Sequence, residues 1–329
     1  MSVSAAEYAC PAAGRAVSVG AADRLRIAVI VPTYRRPDDL KRCLEAIAAQ
    51  LRRPDQFIVV RREGDDATRL VLKDADPNGS WVTVAKVHAG GVVAALNVGL
   101  ALVDADIVAF TDDDAAPRQD WLLRIAARFA SDARVGGLGG RDWVHHHGRL
   151  EDGSQPVVGR LTWYGRCIGH HHLGVGPARE VDALKGVNMS FRARALEGVY
   201  FDTRLRGTGA QVWNELGVSL AVKRGGWRLV YDPQISVDHY PAARHDEDQR
   251  GRFSYQAMQN AAFNETLLLY EHFARWRRFV YVIWAFMVGH RAAPGLLQWL
   301  RLQVIEPRTA TMKFRATWGA RIQALRAVR

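Results

Sequence analysis

Three consecutive carboxylates, Asp112, Asp113 and Asp114, follow the apolar run Ile107-Val108-Ala109-Phe110 and precede a stretch in which Leu122, Ile125 and Phe129 recur at helical spacing. Adjacent carboxylates repel one another unless a cation or basic groups neutralise them. A hard divalent cation takes oxygen ligands and bridges carboxylates to substrate phosphates. If side chains alternate through the strand end, Asp112 and Asp114 face one ligand while Asp113 faces elsewhere. An isolated run of this kind reads more readily as a solvated acidic turn, with Asp114 capping the next helix. Its place between an apolar strand and a helix reverses that preference.

The elements that must position the aspartates alternate along the first half of the chain. Ile27–Val31, Phe57–Val60, Trp81–Val87 and Ile107–Phe110 read as strands, the first being apolar throughout as expected of a strand buried on both faces. Leu40, Leu44, Ile47 and Leu51 mark a helix with Asp38 and Asp39 at its expected N-cap, and Leu96, Leu100 and Val103 mark another. Such alternation predicts a mostly parallel sheet with helices on both sides and ligands at the carboxyl ends of its strands. Both the Pro32–Pro37 turn and the aspartate run stand at such ends. Residues 132–190 show little periodicity and read as long loops. Trp227–Tyr231 reads as a late strand ended by Asp232-Pro233, and from about residue 252 the pattern is helical and rich in aromatics and Arg.

The 329 residues suffice for one large α/β unit with an appendage, and 48% apolar content excludes wholesale disorder. Cys10, Cys43 and Cys167 form no CxxC pair, so neither a disulfide framework nor a zinc site is expected. The first 24 residues read as a flexible lead with no signal-peptide pattern. The net charge of +11 favours anionic partners. No zinc-finger spacing or aromatic-basic RNA signature accompanies it, so nucleic acid is not the expected partner.

Four segments, in order, resemble the family 2 glycosyltransferases over roughly residues 26–240. IAVIVPTYRRPDDLKRCLEAIAAQ is similar to the family's opening strand, nucleotide-binding turn and first helix. GGVVAALNVGLALVDADIVAFTDDDAAPRQDWL is similar to its helix, strand and DxD segment. LKGVNMSFRARAL resembles its acceptor-side element, and GTGAQVWNELGVSLAVKRGGWRLVYDP the helix that carries the catalytic carboxylate. The resemblance implies an inverting, hexosyltransferase-like enzyme with a GT-A nucleotide-binding sandwich of mostly parallel sheet. This domain would span residues 25–243, between the lead at 1–24 and a helical, basic and aromatic extension at 244–329.

The same resemblance implies site roles. Asp112 and Asp114 match the pair that holds Mg²⁺ or Mn²⁺ on the donor diphosphate. His239 is a candidate third ligand or, equally, a histidine near the ion. Glu215 stands at the general base. Pro32, Thr33, Tyr34, Arg36, Asn97, Asp112 and Asp113 fall on the donor side, and Trp163, Lys185, Gly186 and Asn188 on the acceptor side. Three positions depart from the pattern: Arg61 stands where an acidic residue usually contacts the donor base, with Glu63 or Asp65 as substitutes, Leu96 stands where Arg is common, and Asn214-Glu215 stands where the family usually has a Glu-Asp pair. The implied reaction passes a sugar from a nucleotide-sugar to a hydroxyl of a glycan or lipid-linked saccharide. The alternatives are a sugar nucleotidyltransferase, which the loop PTYRRPDDL does not favour, and a non-catalytic glycan- or nucleotide-binding protein.

Two histidine runs, 145–147 and 170–172, lack metal-site spacing and read as pocket or surface residues. Trp163 and Tyr164 suit a sugar platform or a packed contact equally. Basic residues flank the apolar run Phe279–Gly289, which is too short to span a bilayer. Helices there would lie on an anionic membrane surface, pack on the catalytic unit or form a dimer interface. The expected setting is cytoplasmic, peripheral at the inner face of the cell membrane.

Overall fold

A computed structural model describes residues 19–22, 24–146, 148–249 and 253–328; most of the lead expected at 1–24, and His147, lie outside them. The strands are β1 (Ile27–Thr33), β2 (Gln56–Arg62), β3 (Thr83–Val87), β4 (Ile107–Phe110), β5 (Ala115–Pro117), β6 (Val135–His146), β7 (Arg179–Val181), β8 (Met189–Arg192) and β9 (Arg228–His239). The helices are α1 (Pro37–Ala48), α2 (Asp66–Ala75), α3 (Val92–Ala101), α4 (Trp121–Ser131), α5 (Asn214–Arg224), α6 (Tyr255–His272), α7 (Arg275–Met287), α8 (Leu296–Ile305) and α9 (Pro307–Ala327).

The sheet order is β7-β9-β6-β8-β4-β1-β2-β3, with β5 added against β9. Strands β1 to β4 are parallel, as are β6 and β9, whereas β8 runs antiparallel to both β4 and β6. Strand parity divides the core in two. Val29, Val31, Phe57 and Val59 pack with Leu40 and Leu44 of α1 and Ile125 and Phe129 of α4. Ile30, Ile58, Val60 and Phe110 face the other way, onto Leu96 of α3 and Val218 of α5. Phe263 and Leu267 of α6 and Ala320 and Ala324 of α9 belong to this second core. Helices α6 and α9 are therefore built into the sheet's own apolar layer.

Three local expectations change. Asp38 and Asp39 do not cap α1: the helix opens at Pro37, which needs no amide partner there, and the two carboxylates lie in its first turn, where the helix dipole favours them. Asp232-Pro233 does not end β9, which continues to His239 through a register shift between Asp232 and Ser236. The stretch read as loop holds the 12-residue β6, whose glycines hide its strand character. A Cβ on Gly140 would lie 1.7 Å from the Ile235 carbonyl oxygen, so only glycine lets β6 meet the irregular part of β9. Gly140→Ala should lower stability by about 1–3 kcal/mol, read as a drop in Tm. Gly186→Ala, whose Cβ meets nothing within 4 Å, should change it by no more than about 0.5 kcal/mol.

Candidate active site

The carboxyl ends of β1, β2 and β4 open into a cavity of about 280 Å³. β4 stops at Phe110, and Thr111 pins the chain just beyond it: its amide donates to the Ile30 carbonyl (3.2 Å) and its hydroxyl to the Val187 carbonyl (2.9 Å). Because the strand has ended, strict alternation lapses and Asp112, Asp113 and Asp114 all line the cavity.

The three carboxylates have different surroundings. Asp113, 2% exposed, accepts from Arg36 Nη1 at 2.9 Å. Burial pushes its carboxyl up to about 7 against the pull of Arg36. Asp114, 1% exposed, accepts from the Ala242 amide (3.0 Å) and lies 3.4 Å from His239 Nε2 and 3.7 Å from Arg36 Nη1. Burial would raise it, yet His239, the Ala242 amide and Arg36 together hold it well below the usual carboxylate range. Asp112 is half-buried on the cavity wall.

His239 ends β9 between two carboxylates, with Nδ1 3.6 Å from Asp142 Oδ2, and Asp142 is paired in turn with Lys185. Burial opposes a charge on the imidazole, but Asp114 and Asp142 outweigh it and raise its pKa to about 9. At neutral pH the ring is thus a local cation. Its distances to both carboxylates are those of ion pairs, and neither ring nitrogen makes a well-formed hydrogen bond. Among the described residues no group of three His, Cys, Asp or Glu side chains is placed to hold a metal ion by itself. Asp112 and Asp114 on an open wall instead leave room for an ion that completes its coordination with substrate oxygens, the usual manner of Mg²⁺, and His239 would join it only as the neutral imidazole.

Glu215 enters the cavity from the first turn of α5. Burial raises its carboxyl above the ordinary value, with Asp112 adding to this and Lys185 and Arg244 working against it. The residues before it are held in the left-handed region, Gln211 at φ 40° and Trp213 at φ 78°. Such conformations cost roughly 1–3 kcal/mol each and gather at functional sites. Gln211 is fixed by two bonds: its Oε1 accepts from the Val93 amide (3.0 Å) and its Nε2 donates to the Leu205 carbonyl (2.7 Å).

The cavity brings together Pro32, Thr33, Tyr34, Arg36, the three aspartates, Lys185, Gly186, Glu215 and His239. Other expected residues lie elsewhere. Arg61 is buried and donates to the Arg62 carbonyl, while Arg62 lines the cavity with its guanidinium 4.9 Å from the Tyr34 ring centre. Glu63 pairs with His88 at the surface. Asn97 brackets the Phe201 backbone, donating to its carbonyl (2.8 Å) and accepting from its amide (3.0 Å). Asn188 is fully buried, accepting from Trp121 Nε1 (2.9 Å) and donating to the Ile235 carbonyl (2.8 Å). Trp163 is 64% exposed on a hairpin outside the lining.

The sequence reading missed Arg62, Arg244, His245 and Asp246. The last three lie beyond residue 243, where the catalytic unit was expected to end. This strap is tied to the loop before α5: Asp246 Oδ2 accepts from the Ala210 amide (2.9 Å), and Glu247 from the Thr208 hydroxyl (2.6 Å). Arg36 Nε donates to the Ala243 carbonyl (3.1 Å). Only the charge run Arg244-His245-Asp246-Glu247-Asp248 signals the strap in the sequence.

Comparison with known proteins gives part of the chain a family likeness. Residues 28–165 match the family described as glycosyl transferase family 2; Lys185, Glu215 and His239 lie beyond that segment. The glucosyl-dolichyl phosphate glucuronosyltransferase of Haloferax volcanii is 24% identical over 225 residues, 65% of this chain and 69% of that protein. Glycosyltransferase GlyA of Streptococcus pneumoniae is 28% identical over 114 residues, 34% of this chain but only 16% of its own length. Among solved structures, the mannosyltransferase PcManGT of Pyrobaculum calidifontis, in complex with GDP-Man and Mn²⁺, superposes with a TM-score of 0.53 at 18% identity, covering 92% of this chain and 87% of that one. GalNAc-T7 with UDP, GalNAc and Mn²⁺ gives 0.63 at 11% identity, covering 87% and 58%. Residues 28–165 are thus similar to glycosyl transferase family 2, and the chain shares the GT-A fold of these solved structures.

Proposed function

We propose that the protein is an inverting, hexosyltransferase-like enzyme that moves a sugar from a nucleotide-sugar to a hydroxyl of a glycan or lipid-linked saccharide, assisted by Mg²⁺ or Mn²⁺. The observation that carries this reading is that the aspartate run and Glu215 face one cavity at the carboxyl ends of the parallel strands. Nucleotide-sugar and Mn²⁺ in PcManGT, and a dolichyl phosphate-linked substrate in the name of the Haloferax relative, support the same choice of partners.

In this reading Glu215 accepts the proton of the acceptor hydroxyl as its oxygen attacks the anomeric carbon. The bond to the diphosphate breaks on the opposite face, and the nucleoside diphosphate leaves with the electron pair. Asp112 and Asp114, with His239 in its neutral form, would hold a divalent ion, which when bound would supply positive charge to that leaving group. Arg36 and Arg62, on the same wall, add fixed positive charge near it. Lys185 and Gly186 take the acceptor side. Residues 25–243 supply most of the machinery, and the extension at 244–329 adds Arg244, His245 and Asp246 to its rim. The setting is cytoplasmic, with access to the inner face of the cell membrane.

The test is a panel of nucleotide-sugars with Mn²⁺ or Mg²⁺, following nucleoside diphosphate release and the anomeric configuration of the product. One donor should turn over only with metal and give inverted product. Metal-independent release, or a retained configuration, would overturn the proposal.

A further inference from the structure

Helices α7 and α8 leave large apolar side chains uncovered. Trp276, Phe279, Ile283 and Met287 recur at three- and four-residue spacing along α7 and are 62%, 69%, 48% and 44% exposed. Leu297, Leu300 and Val304 repeat the pattern on α8 at 54%, 51% and 84%. Residues so spaced share one helix face. The opposite faces are anchored in the protein through Tyr281, Ala285 and Leu302. A short hairpin, Gly289–His290 against Ala293–Pro294, joins the two helices, which pack on each other. Beside α7 stands exposed Trp163, whose carbonyl accepts from Arg277 Nε at 3.1 Å. Rows of large apolar side chains left exposed in this way mark an interaction site.

Charge decides what covers it. Residues 273–329 hold eleven Lys and Arg against one acidic residue, Glu306, so a net +10 of the chain's formal +11 lies there. Glu306 is occupied by Arg291 and Lys313. Arg275, Arg301, Arg308 and Arg315 are exposed, and among the described residues none has a carboxylate within ion-pair distance. A second copy of this face would set one strongly basic surface against another, whereas anionic lipid neutralises it. No described helix is long and apolar enough to cross a membrane.

We infer that α7, α8 and the Trp163 hairpin tip form a docking surface for an anionic lipid bilayer. The helices lie in its interface, with apolar stripes at the acyl boundary and arginines on the head groups. The surface connects to the reaction site through one residue. Asp182 accepts from the hairpin's Leu161 amide (2.9 Å) and from Lys223 Nζ (2.6 Å), and Lys223 lies on the helix that opens with Glu215. That link matters for a lipid-linked acceptor and so rests on the proposed function; the docking does not.

The experiment is flotation of the full chain with vesicles of phosphatidylglycerol and phosphatidylcholine in equal parts, and with phosphatidylcholine alone. The protein should float with the anionic vesicles, and each of Arg275→Glu and Arg301→Glu should weaken binding roughly fivefold. The triple variant Trp276→Ala/Phe279→Ala/Val304→Ala should lose at least about tenfold with an unchanged circular dichroism spectrum, since three large apolar groups no longer reach the acyl boundary. Wild type that stays with the unbound fraction, or a triple variant that floats like wild type, overturns the inference. So does a wild-type dimer that the triple substitution converts to monomer without change in vesicle binding, which would assign the face to a second copy. None of these readouts needs donor or acceptor, so failure here leaves the proposed reaction standing.

Discussion

Glu215→Gln should lower kcat by roughly 10²–10⁴-fold, the range for removing a general base, while leaving the affinity for nucleoside diphosphate within about twofold. The amide keeps the size and shape of the side chain but cannot take a proton from the acceptor hydroxyl. Donor contacts should survive, because Glu215 reaches the cavity from the α5 side whereas Arg36, Arg62 and the aspartates come from the ends of the parallel strands. Two effects compete at the carboxyl. Its place in the first helical turn favours the charged form by about 0.3–1 kcal/mol. Burial, aided by Asp112, favours the neutral form and prevails, so the carboxyl titrates above its ordinary value. The base works ionised, so kcat should rise with pH along a limb displaced upward from the usual carboxylate range, and that limb should vanish in the Gln variant. Removing a buried charge should not lower Tm. A Gln variant with full turnover, or one that loses donor binding in step with kcat, would remove Glu215 as the base.

Much of this site was legible because its residues follow elements with strong periodic signals. Ile27–Val31 is apolar throughout since β1 is covered on both faces, and its end fixes Pro32, Thr33 and Tyr34 in space. The aspartates were legible for the same reason. Arg61 stands outside the cavity lining, and Arg62 within it, for a reason of parity. Ile58 and Val60 face α3 beneath the cavity, so the next residue on that side is Arg62, while Arg61 follows Phe57 and Val59 to the other face. Extending the strand by two residues in the sequence would have found it. β6 was not legible because Gly136, Gly137, Gly139 and Gly140 erase its hydrophobic alternation. They are there because Trp227, Leu229, Leu184 and the Ile235 carbonyl occupy the space a side chain would need. Asn97 and Asn188 look like ligand contacts by residue type, yet each is consumed by backbone or indole partners that lie far away in sequence. The strap at Arg244–Asp246 has no period at all; what holds it is a set of carboxylate-to-backbone bonds that no local pattern announces.

The second large effect is expected at Asp114, and charge balance says why. Asp112, Asp113 and Asp114 face Arg36 and the protonated His239, so the strand end keeps an excess of negative charge that Lys185 does not relieve, being paired with Asp142. Asp113 contributes less than its formal charge, because burial pushes it up to about 7 and it is partly neutral near that pH. Asp114 stays ionised, and in the proposed function it would anchor a divalent ion together with half-buried Asp112. Asp114→Asn keeps an oxygen for the Ala242 amide but removes that charge. It should abolish the Mn²⁺-dependent gain in nucleoside diphosphate affinity and cut turnover by at least about a hundredfold, as expected when several kcal/mol of charge stabilisation on the leaving group is lost. Breaking a buried pair also destabilises by roughly 3–5 kcal/mol, so loss of activity alone would not identify the role. Calorimetric titration with nucleoside diphosphate, with and without Mn²⁺ and well below Tm, separates the two. A purely structural Asp114 would leave the Mn²⁺ gain intact in whatever fraction folds, and that outcome would sink the metal assignment. A folded variant whose binding no longer responds to Mn²⁺ ties the aspartate run to the ion.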